Sequence, residues 1–372
     1  MSFEKLDICA PVLRALHEKG YTNPTPIQQQ AIPAILSGND VLASAQTGTG
    51  KTASFSIPML QRLSKHRNGR HVRGLILTPT RELAIQVSEN LIQYGKYLDI
   101  RSVLVYGGVS TVNQVNQIRR GTDIIIATPG RLLDLMNQNI VQLSQLEALV
   151  LDEADRMLDM GFIRDVKKIL ATVPAACQKV FLSATMPEEV QQLVSSILKN
   201  PVRIKVTPEK SEARIRQEVY YVSPEDKKAL LKHVIEEQSM RNVLVFARTK
   251  YGADKIARHL VKSGIIAEAF HGDKSQGARQ RSLTNFKRNT TRVLVATDIA
   301  ARGIDIADLP FVINYEMPDT LETYTHRIGR TGRAGNTGTA ISFCDLHEKG
   351  QMKNLNRVGS GRIEVMEHPF VR

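Results

Sequence analysis

The chain has no tryptophan, and only 5% of its residues are aromatic, so no broad aromatic stacking surface can be assembled from it. Its three cysteines, Cys9, Cys177 and Cys344, lie far apart and follow neither a metal-ligand nor a redox spacing. They read as isolated small core residues, consistent with a reducing compartment. No apolar run approaches the roughly 18 residues of a membrane span, and Met1–Lys5 carries no apolar signal core. A disulfide scaffold and a membrane protein are thereby set aside. The expectation is a soluble, cytoplasmic protein without a membrane partner.

What is present is basic charge and length. The net charge is +13 and the isoelectric point about 9.7, which suits a polyanionic partner. Residues 1–206 carry 23 basic and 17 acidic side chains, and residues 207–372 carry 27 and 20. Neither half is a basic tail, so both are expected to face the same polyanion. A chain of 372 residues exceeds the usual ceiling of about 250 for one domain, which points to two cores.

Short β-branched runs alternate with longer segments of helical period. The strand candidates are Val41–Ala43, Leu75–Leu77, Val103–Val105, Ile124–Ile126, Leu149–Leu151 and Val180–Leu182, then Val243–Phe246, Val293–Val295, Val312-Ile313 and Ala340–Phe343. Continuous apolar strands separated by helices imply parallel sheets covered on both faces. The polar stretch Thr207–Arg216 reads as a linker. The expected architecture is therefore α/β, with one lobe over 1–206, a linker over 207–216 and a similar lobe over 217–372.

Only the first lobe has a phosphate loop. Ala45-Gln46-Thr47-Gly48-Thr49-Gly50-Lys51-Thr52 follows a strand candidate and precedes a helical segment. Backbone N–H groups and the helix N-terminus can cradle phosphates there. Lys51 would reach the β- and γ-phosphates and the Thr52 hydroxyl would ligate Mg²⁺. Ala45 stands where the generic pattern has glycine, and alone the stretch could be a surface turn. Asp152 and Glu153, delivered at the end of Leu149–Leu151, decide against that. One carboxylate can orient the metal shell while its neighbour positions or deprotonates the attacking water. Further polar turns, including Thr78–Glu82, Gly107-Gly108, Thr128–Arg131, Ser183–Thr185 and Thr297-Asp298, each follow directly on a strand. Ligands of open parallel sheets bind at that end, so a composite site is expected.

With Asp152-Glu153-Ala154-Asp155 in place, the chain resembles the DEAD-box ATP-dependent RNA helicases, over residues 3 to about 345. Gly20–Gln28 looks like the family's Q motif, with Phe3 at the upstream position, and Ala45–Thr52 is its form of the phosphate loop. Pro79–Ala84, Gly107-Gly108 and Thr128–Arg131 resemble its first-lobe RNA motifs, and Ser183–Thr185 its coupling motif. Phe246–Thr249 and His271–Asp273 with Gln276 and Arg279 resemble further RNA-side motifs. Thr297–Asp305 and His326–Arg333 are similar to the motifs that close on ATP. The first-lobe wording is nearest the bacterial RhlE subgroup. Many relatives carry a long basic tail, whereas this chain stops soon after its last recognised strand, which puts tail-dependent RNA targeting in doubt.

The resemblance implies two tandem RecA-like lobes, ATP and Mg²⁺ as cofactors, and RNA as partner, with ribosomal or RNA-degradation assemblies as settings. It implies that Gln28 reads the adenine, with Tyr21 or Phe3 packing nearby. Thr47, Gly48, Thr49, Gly50, Lys51 and Thr52 hold the phosphates, Gly303 and Asp305 approach the nucleotide, and Thr52 with Asp152 holds the metal. Glu153 serves the water. Arg330 and Arg333 act as arginine fingers, and if their segment is helical, both face one anion. Asp155 couples through Ser183 and Thr185 or through His326, with Arg327 in the same group. The implied RNA groove comprises Pro79, Thr80, Arg81, Gly107, Gly108, Thr128, Pro129 and Arg131 in one lobe, and Thr249, Gly272, Arg279 and Thr297 in the other. Scarce aromatics favour backbone tracking without sequence preference. The implied activity is ATP-driven lobe closure with local opening of short RNA duplexes or remodelling of RNA–protein complexes. An ATP-gated RNA clamp with little turnover and a DNA helicase are the rival readings.

Overall fold

Each of the ten apolar runs named above lies in a strand of the computed structural model, which describes residues 2–45, 48–65, 71–206, 215–301, 306, 308–332, 337–350 and 363–370. The chain divides into two units, Met1–Pro208 and Glu209–Arg372. The first contains β1 (Val41–Ser44), β2 (Gly74–Leu77), β3 (Ser102–Val105), β4 (Ile124–Ala127), β5 (Ala148–Leu151), β6 (Gln178–Ser183) and β7 (Val202–Lys205). They form one sheet in the order β3-β4-β2-β5-β6-β1-β7, with parallel pairing throughout.

The second unit contains β8 (Ile215–Tyr221), β9 (Val243–Phe246), β10 (Ala267–Phe270), β11 (Val293–Ala296), β12 (Phe311–Asn314), β13 (Gly338–Cys344) and β14 (Ile363–Met366). Their order is β10-β11-β9-β12-β13-β8-β14, again all parallel. Taking seven from each number turns this order into that of the first sheet. The two units are copies of one topology, a tandem RecA-like pair.

The reason lies in the strand composition. Along β4, Ile124 and Ile126 belong to one core while Ile125 and Ala127 belong to the core on the opposite face. In β9, Val243 and Val245 face one core and Leu244 and Phe246 the other. Side chains alternate between faces, so a strand apolar at every position must be covered by helices on both sides.

Four strands do not stand out in the sequence. Three of them, β7, β10 and β14, are sheet edges, and their charged residues (Arg203 and Lys205, Glu268, Glu364) interrupt the apolar run, as suits an edge. The fourth, β8, begins in what reads as linker. Ile215 and Arg216 in fact pair with Gly338 and Thr339 of β13, while 207–214 lie outside the described residues. The three cysteines are unpaired, Cys177 and Cys344 buried and Cys9 half-buried. Among the described residues no helix is long and apolar enough to cross a membrane.

Candidate active site

Parallel pairing puts every strand's carboxyl end on the same side of its sheet, where ligands of such folds bind. In the first unit the spatial order sorts the polar turns into two contiguous groups. Those after β3, β4 and β2 carry Gly107-Gly108, Thr128–Arg131 and Thr78–Arg81. Those after β5, β6 and β1 carry Asp152-Glu153, Ser183–Thr185 and Gly48–Thr52.

In the second group, Gly50 adopts φ +88° and opens the helix Lys51–Ser64. A Cβ there would come within 2.4 Å of Gln28 Nε2, so glycine is required both for the turn and for the contact. Lys51 and Asp152 are almost fully buried, yet among the described residues neither Lys51 Nζ nor Asp152 Oδ1 has a hydrogen-bond partner. Leaving such groups unsatisfied is costly. Burial pushes the Asp152 carboxyl up to about 7, against the pull of the Lys51 ammonium. A divalent cation would reverse that shift, and an oxyanion would satisfy Lys51. The residues therefore fit a Mg²⁺–triphosphate group, with half-buried Thr52 beside Lys51. Among the described residues no three His, Cys, Asp or Glu side chains converge as a metal cage. A Mg²⁺ held by one carboxylate and substrate phosphates needs none. Gly48 and Thr49 precede this turn; Thr47 lies outside the described residues.

Gln28 is buried at the start of the helix Pro26–Leu36. Its Oε1 accepts from Thr25 N at 3.0 Å and its Nε2 donates to Gly50 O at 3.1 Å. The residue caps its own helix and ties it to the phosphate loop. A carboxamide carries two N–H groups and two lone pairs, so one of each remains for a base edge. Phe3 is buried in the first unit's core and packs on Tyr21 with ring centroids 6.1 Å apart. The Tyr21 hydroxyl lies 3.1 Å from that of Tyr94.

Glu153 has φ 54° and ψ 52°, a left-handed conformation that costs a non-glycine residue roughly 1–3 kcal/mol. Its carboxylate accepts from Arg156 Nη1 at 2.6 Å, with both side chains buried. Asp155 faces the turn after β6. Its Oδ2 accepts from Ala184 N at 3.1 Å, Thr185 N at 2.8 Å and Thr185 Oγ1 at 2.9 Å. Ser183 Oγ in turn accepts from Asp155 N and donates to Thr185 O. Three charge-assisted bonds to one oxygen lock the two turns together.

The other group is knitted as tightly. Thr80 caps the helix Arg81–Tyr94 by accepting from Leu83 N. The Arg81 guanidinium lies over Gly107 and Gly108, where a Cβ at Gly108 (φ +79°) would come 2.2 Å from Arg81 Nη1. Arg131 Nη2 donates to Val109 O at 3.2 Å and Nη1 to Gln114 Oε1 at 3.4 Å. Thr128 and Pro129 start the helix Pro129–Asn137, where proline has no N–H to waste. Pro79 lies between β2 and Thr80.

The second unit repeats these places. Thr249, three residues past β9, caps the helix Lys250–Lys262 as Thr80 does past β2. Gly272 follows β10 as Gly107 follows β3, and Thr297 follows β11 as Thr128 follows β4. Lys250 stands where Arg81 does and pairs with Asp273 at 2.6 Å. Arg279 lies over the Phe270 ring at 5.0 Å.

Arg327 is committed within its own unit. Its Nε and Nη2 each donate to Asp298 at 2.7 Å, while Nη1 donates to Asn314 Oδ1 and Glu316 O. His326 precedes it on the helix Leu321–Ile328. That helix ends at Ile328 with Gly329 as its cap, and Gly332 has φ +65°, so Arg330 itself is not in a helix, and its expected alignment with Arg333 falls on a residue outside the described ones. Arg330 is buried. Gly303, Asp305 and Arg333 lie outside the described residues.

Two participants, Arg156 and Gln114, are not apparent from the sequence motifs, and neither is the bond that ties Asp298 to Arg327. The i, i+3 spacing of Glu153 and Arg156 is the available signal for the first. For the others no local signal exists, since Arg131–Gln114 and Arg327–Asp298 span different elements.

Two family models match the chain: the DEAD/DEAH box helicase model over residues 25–193 and the helicase conserved C-terminal domain over residues 226–335. The chain is 40% identical over 371 residues to the DEAD-box ATP-dependent RNA helicase RhpA of Helicobacter pylori, covering 100% of this chain and 75% of that protein. It is likewise 40% identical over 371 residues to the DEAD-box ATP-dependent RNA helicase CshA of Geobacillus kaustophilus, covering 99% and 79%. Among solved structures it is similar to Saccharomyces cerevisiae Dbp5 bound to RNA and ADP BeF3, with TM-score 0.86, 30% identity and coverage of 98% and 95%. A second similar structure is Mss116p bound to ssRNA and AMP-PNP, with TM-score 0.87, 29% identity and coverage of 98% and 79%.

Proposed function

The chain belongs to the DEAD-box ATP-dependent RNA helicases, and from that premise we propose how its own residues carry the RNA-dependent hydrolysis of ATP. Lys51 and the backbone of Gly48–Thr52 grip the triphosphate, and Thr52 with Asp152 holds Mg²⁺, which when bound neutralises phosphate charge. Gln28 turns its spare N–H and lone pair to the adenine, flanked by Phe3 and Tyr21. Glu153 takes a proton from the attacking water. The water oxygen bonds to the γ-phosphorus, the bond from that phosphorus to the β–γ bridging oxygen breaks, and its electron pair leaves with ADP. Arg330 and Arg333 of the second unit stabilise the charge on the transferring group; such fingers are worth roughly 10³–10⁵ in rate.

The RNA backbone runs along the turns of Arg81, Gly107-Gly108, Thr128 and Arg131 and along those of Thr249, Gly272, Arg279 and Thr297. ATP and RNA together draw the units into a closed state in which a bent strand cannot stay paired. Asp155, bonded to Thr185, transmits hydrolysis to that closure. Because RNA and ATP favour one state, each tightens the other's binding by the same factor. We further assign the chain to the cytoplasm and to RNA of ribosomal or degradation assemblies. On the wording of its first-lobe motifs we assign it to the RhlE-like members of the family.

The observation that carries the nucleotide assignment is the pair of buried groups without a hydrogen-bond partner among the described residues, Lys51 Nζ and Asp152 Oδ1. Steady-state ATP hydrolysis across RNA duplexes of graded length and overhang tests the whole reading. Hydrolysis should require RNA and Mg²⁺, and short duplexes should open faster than long ones. ATP turnover indifferent to RNA would overturn it.

A further inference from the structure

We propose that Arg156 is a positioning residue for Glu153, holding the carboxylate in the one orientation from which it can serve the attacking water. The inference rests on the reading of Glu153 as the base and adds to it the group that aims it.

Glu153 sits at a turn, not within regular structure. It is the residue between Asp152 at the end of β5 and the helix Ala154–Asp159, and its backbone is left-handed. A glutamate has three side-chain torsions, and a turn leaves them little steric guidance. A base that swings among rotamers loses the advantage of proximity. Arg156 removes that freedom. It lies one helical turn on, its backbone N–H donates to Glu153 O at 3.0 Å, and its Nη1 donates to Glu153 Oε2 at 2.6 Å. Glu153 and Arg156 expose only 7% and 8% of their side chains, so water competes poorly for the bond.

The contact is one-sided. Oε2 is taken by the guanidinium, while Oε1 makes no hydrogen bond to a described residue. One oxygen is clamped and the other left for a proton. Arg156 itself is anchored through its backbone, because its N–H also donates to Asp155 Oδ1 at 3.1 Å, and Asp155 is the carboxylate bonded to Thr185. The clamp on the base is thus attached to the bridge between the turns after β5 and β6. A lysine could form a single bond to Oε2 but lacks the planar fork that fixes the direction of approach.

The test uses the full chain at saturating RNA, reading kcat and KM for ATP in Arg156→Gln, Arg156→Lys, Glu153→Gln and the Arg156→Gln/Glu153→Gln pair. Affinity for a non-hydrolysable ATP analogue serves as the check on folding. Arg156→Gln should lower kcat roughly 10–100-fold, the scale of a misplaced catalytic group, with KM and analogue affinity unchanged. Arg156→Lys should recover part of the loss. In the Glu153→Gln background the further change at Arg156 should have no effect, since there is no base left to aim. A wild-type kcat in Arg156→Gln would overturn the proposal, as would an equal loss in both backgrounds, which would mean that Arg156 acts elsewhere. Wild-type turnover in Glu153→Gln alone would instead sink the reading of the base and, with it, the need for a clamp. Loss of analogue affinity in both Arg156 variants would overturn the proposal too, by making the residue structural.

Discussion

Lys51 and Lys227 occupy the same place in the two copies of the topology, yet they are treated in opposite ways. Each is the first residue of the helix after its unit's first strand, and each is buried. Lys227 Nζ donates to Glu348 Oε2 at 2.7 Å, with Asp345 Oδ2 at 3.5 Å. Lys51 Nζ has no partner among the described residues. In the second unit two carboxylates of the chain itself stand where a phosphate would be needed, whereas in the first the charge is left for a ligand.

The contrast predicts opposite stability effects. Glu348→Ala leaves the buried Lys227 ammonium with the more distant Asp345 alone and also removes an acceptor of Arg248 Nη2 and the acceptor of Met317 N. It should cost about 3–5 kcal/mol, read as a lower urea midpoint for the second unit. Lys51→Met should instead raise the first unit's stability by about 1–2 kcal/mol while abolishing ATP binding, because it relieves an unpaired buried charge. If both substitutions destabilise equally, Lys51 is satisfied within the chain and its charge is not held in reserve for a ligand.

Much of this is legible in the sequence because buried parallel strands write their own signature. Ile124–Ala127 and Val243–Phe246 are apolar at every position, which only a sheet covered on both faces can use. Parallel pairing then assigns the turns that follow them to one side of the sheet from the strand pattern alone. The edge strands Val202–Lys205 and Ile363–Met366 are not legible, since a half-exposed strand can alternate charged residues and resemble a loop. Nor are the partners of the site residues. That Arg131 is held by Gln114 follows from β3 and β4 being neighbours in the sheet, and Arg327 reaches Asp298 past the intervening β9; spacing along the chain contains neither. Arg330 lies outside a helix for a local reason, the helix stop at Gly329.

Gln28 performs two tasks that one substitution separates. Gln28→Ala removes the bond to Thr25 N and the tie to Gly50 O, which should cost about 1–2 kcal/mol of stability. It also removes the groups proposed to read adenine. Affinities for ATP and ADP should fall well below wild type while GTP changes little. Parallel loss for all three nucleotides, measured by titration, would mean that Gln28 only braces the phosphate loop.

The Arg327–Asp298 pair carries a different expectation. Arg327→Lys keeps the charge but cannot span both Asp298 oxygens while also reaching Asn314 and Glu316 O. A loss of about 2–4 kcal/mol is expected, visible as a lower unfolding midpoint of the second unit. RNA-stimulated hydrolysis should fall with it, because the helix Leu321–Ile328 leads directly into Arg330. An unchanged midpoint with reduced hydrolysis would make Arg327 a direct participant and not a brace.

Glu153→Gln keeps the shape of the carboxylate and removes its basicity. ATP and RNA binding should survive, and turnover should drop by about 10²–10⁴-fold, the usual worth of a general base. Single-turnover hydrolysis of ATP in the presence of RNA reads this without interference from product release. Turnover at the wild-type rate would remove Glu153 from the mechanism.

The arginines of the second unit test whether the two copies work as one enzyme. Arg330→Ala and Arg333→Ala each remove charge stabilisation proposed to act only in the transition state, so each should lower RNA-stimulated hydrolysis by roughly 10³-fold or more. Groups that act only there leave ground-state binding untouched. Affinity for ATP should therefore stay near wild type, since Lys51, Asp152 and Gln28 all belong to the first unit. RNA affinity without nucleotide should also hold, because the turns after β9, β10 and β11 are unaltered. What should shrink is the gain in RNA affinity caused by a non-hydrolysable ATP analogue, since that gain measures the closed state. Titrations of labelled RNA with and without the analogue report it directly. An undiminished gain together with undiminished hydrolysis would make these residues a passive basic surface, and catalysis would then belong to the first unit alone.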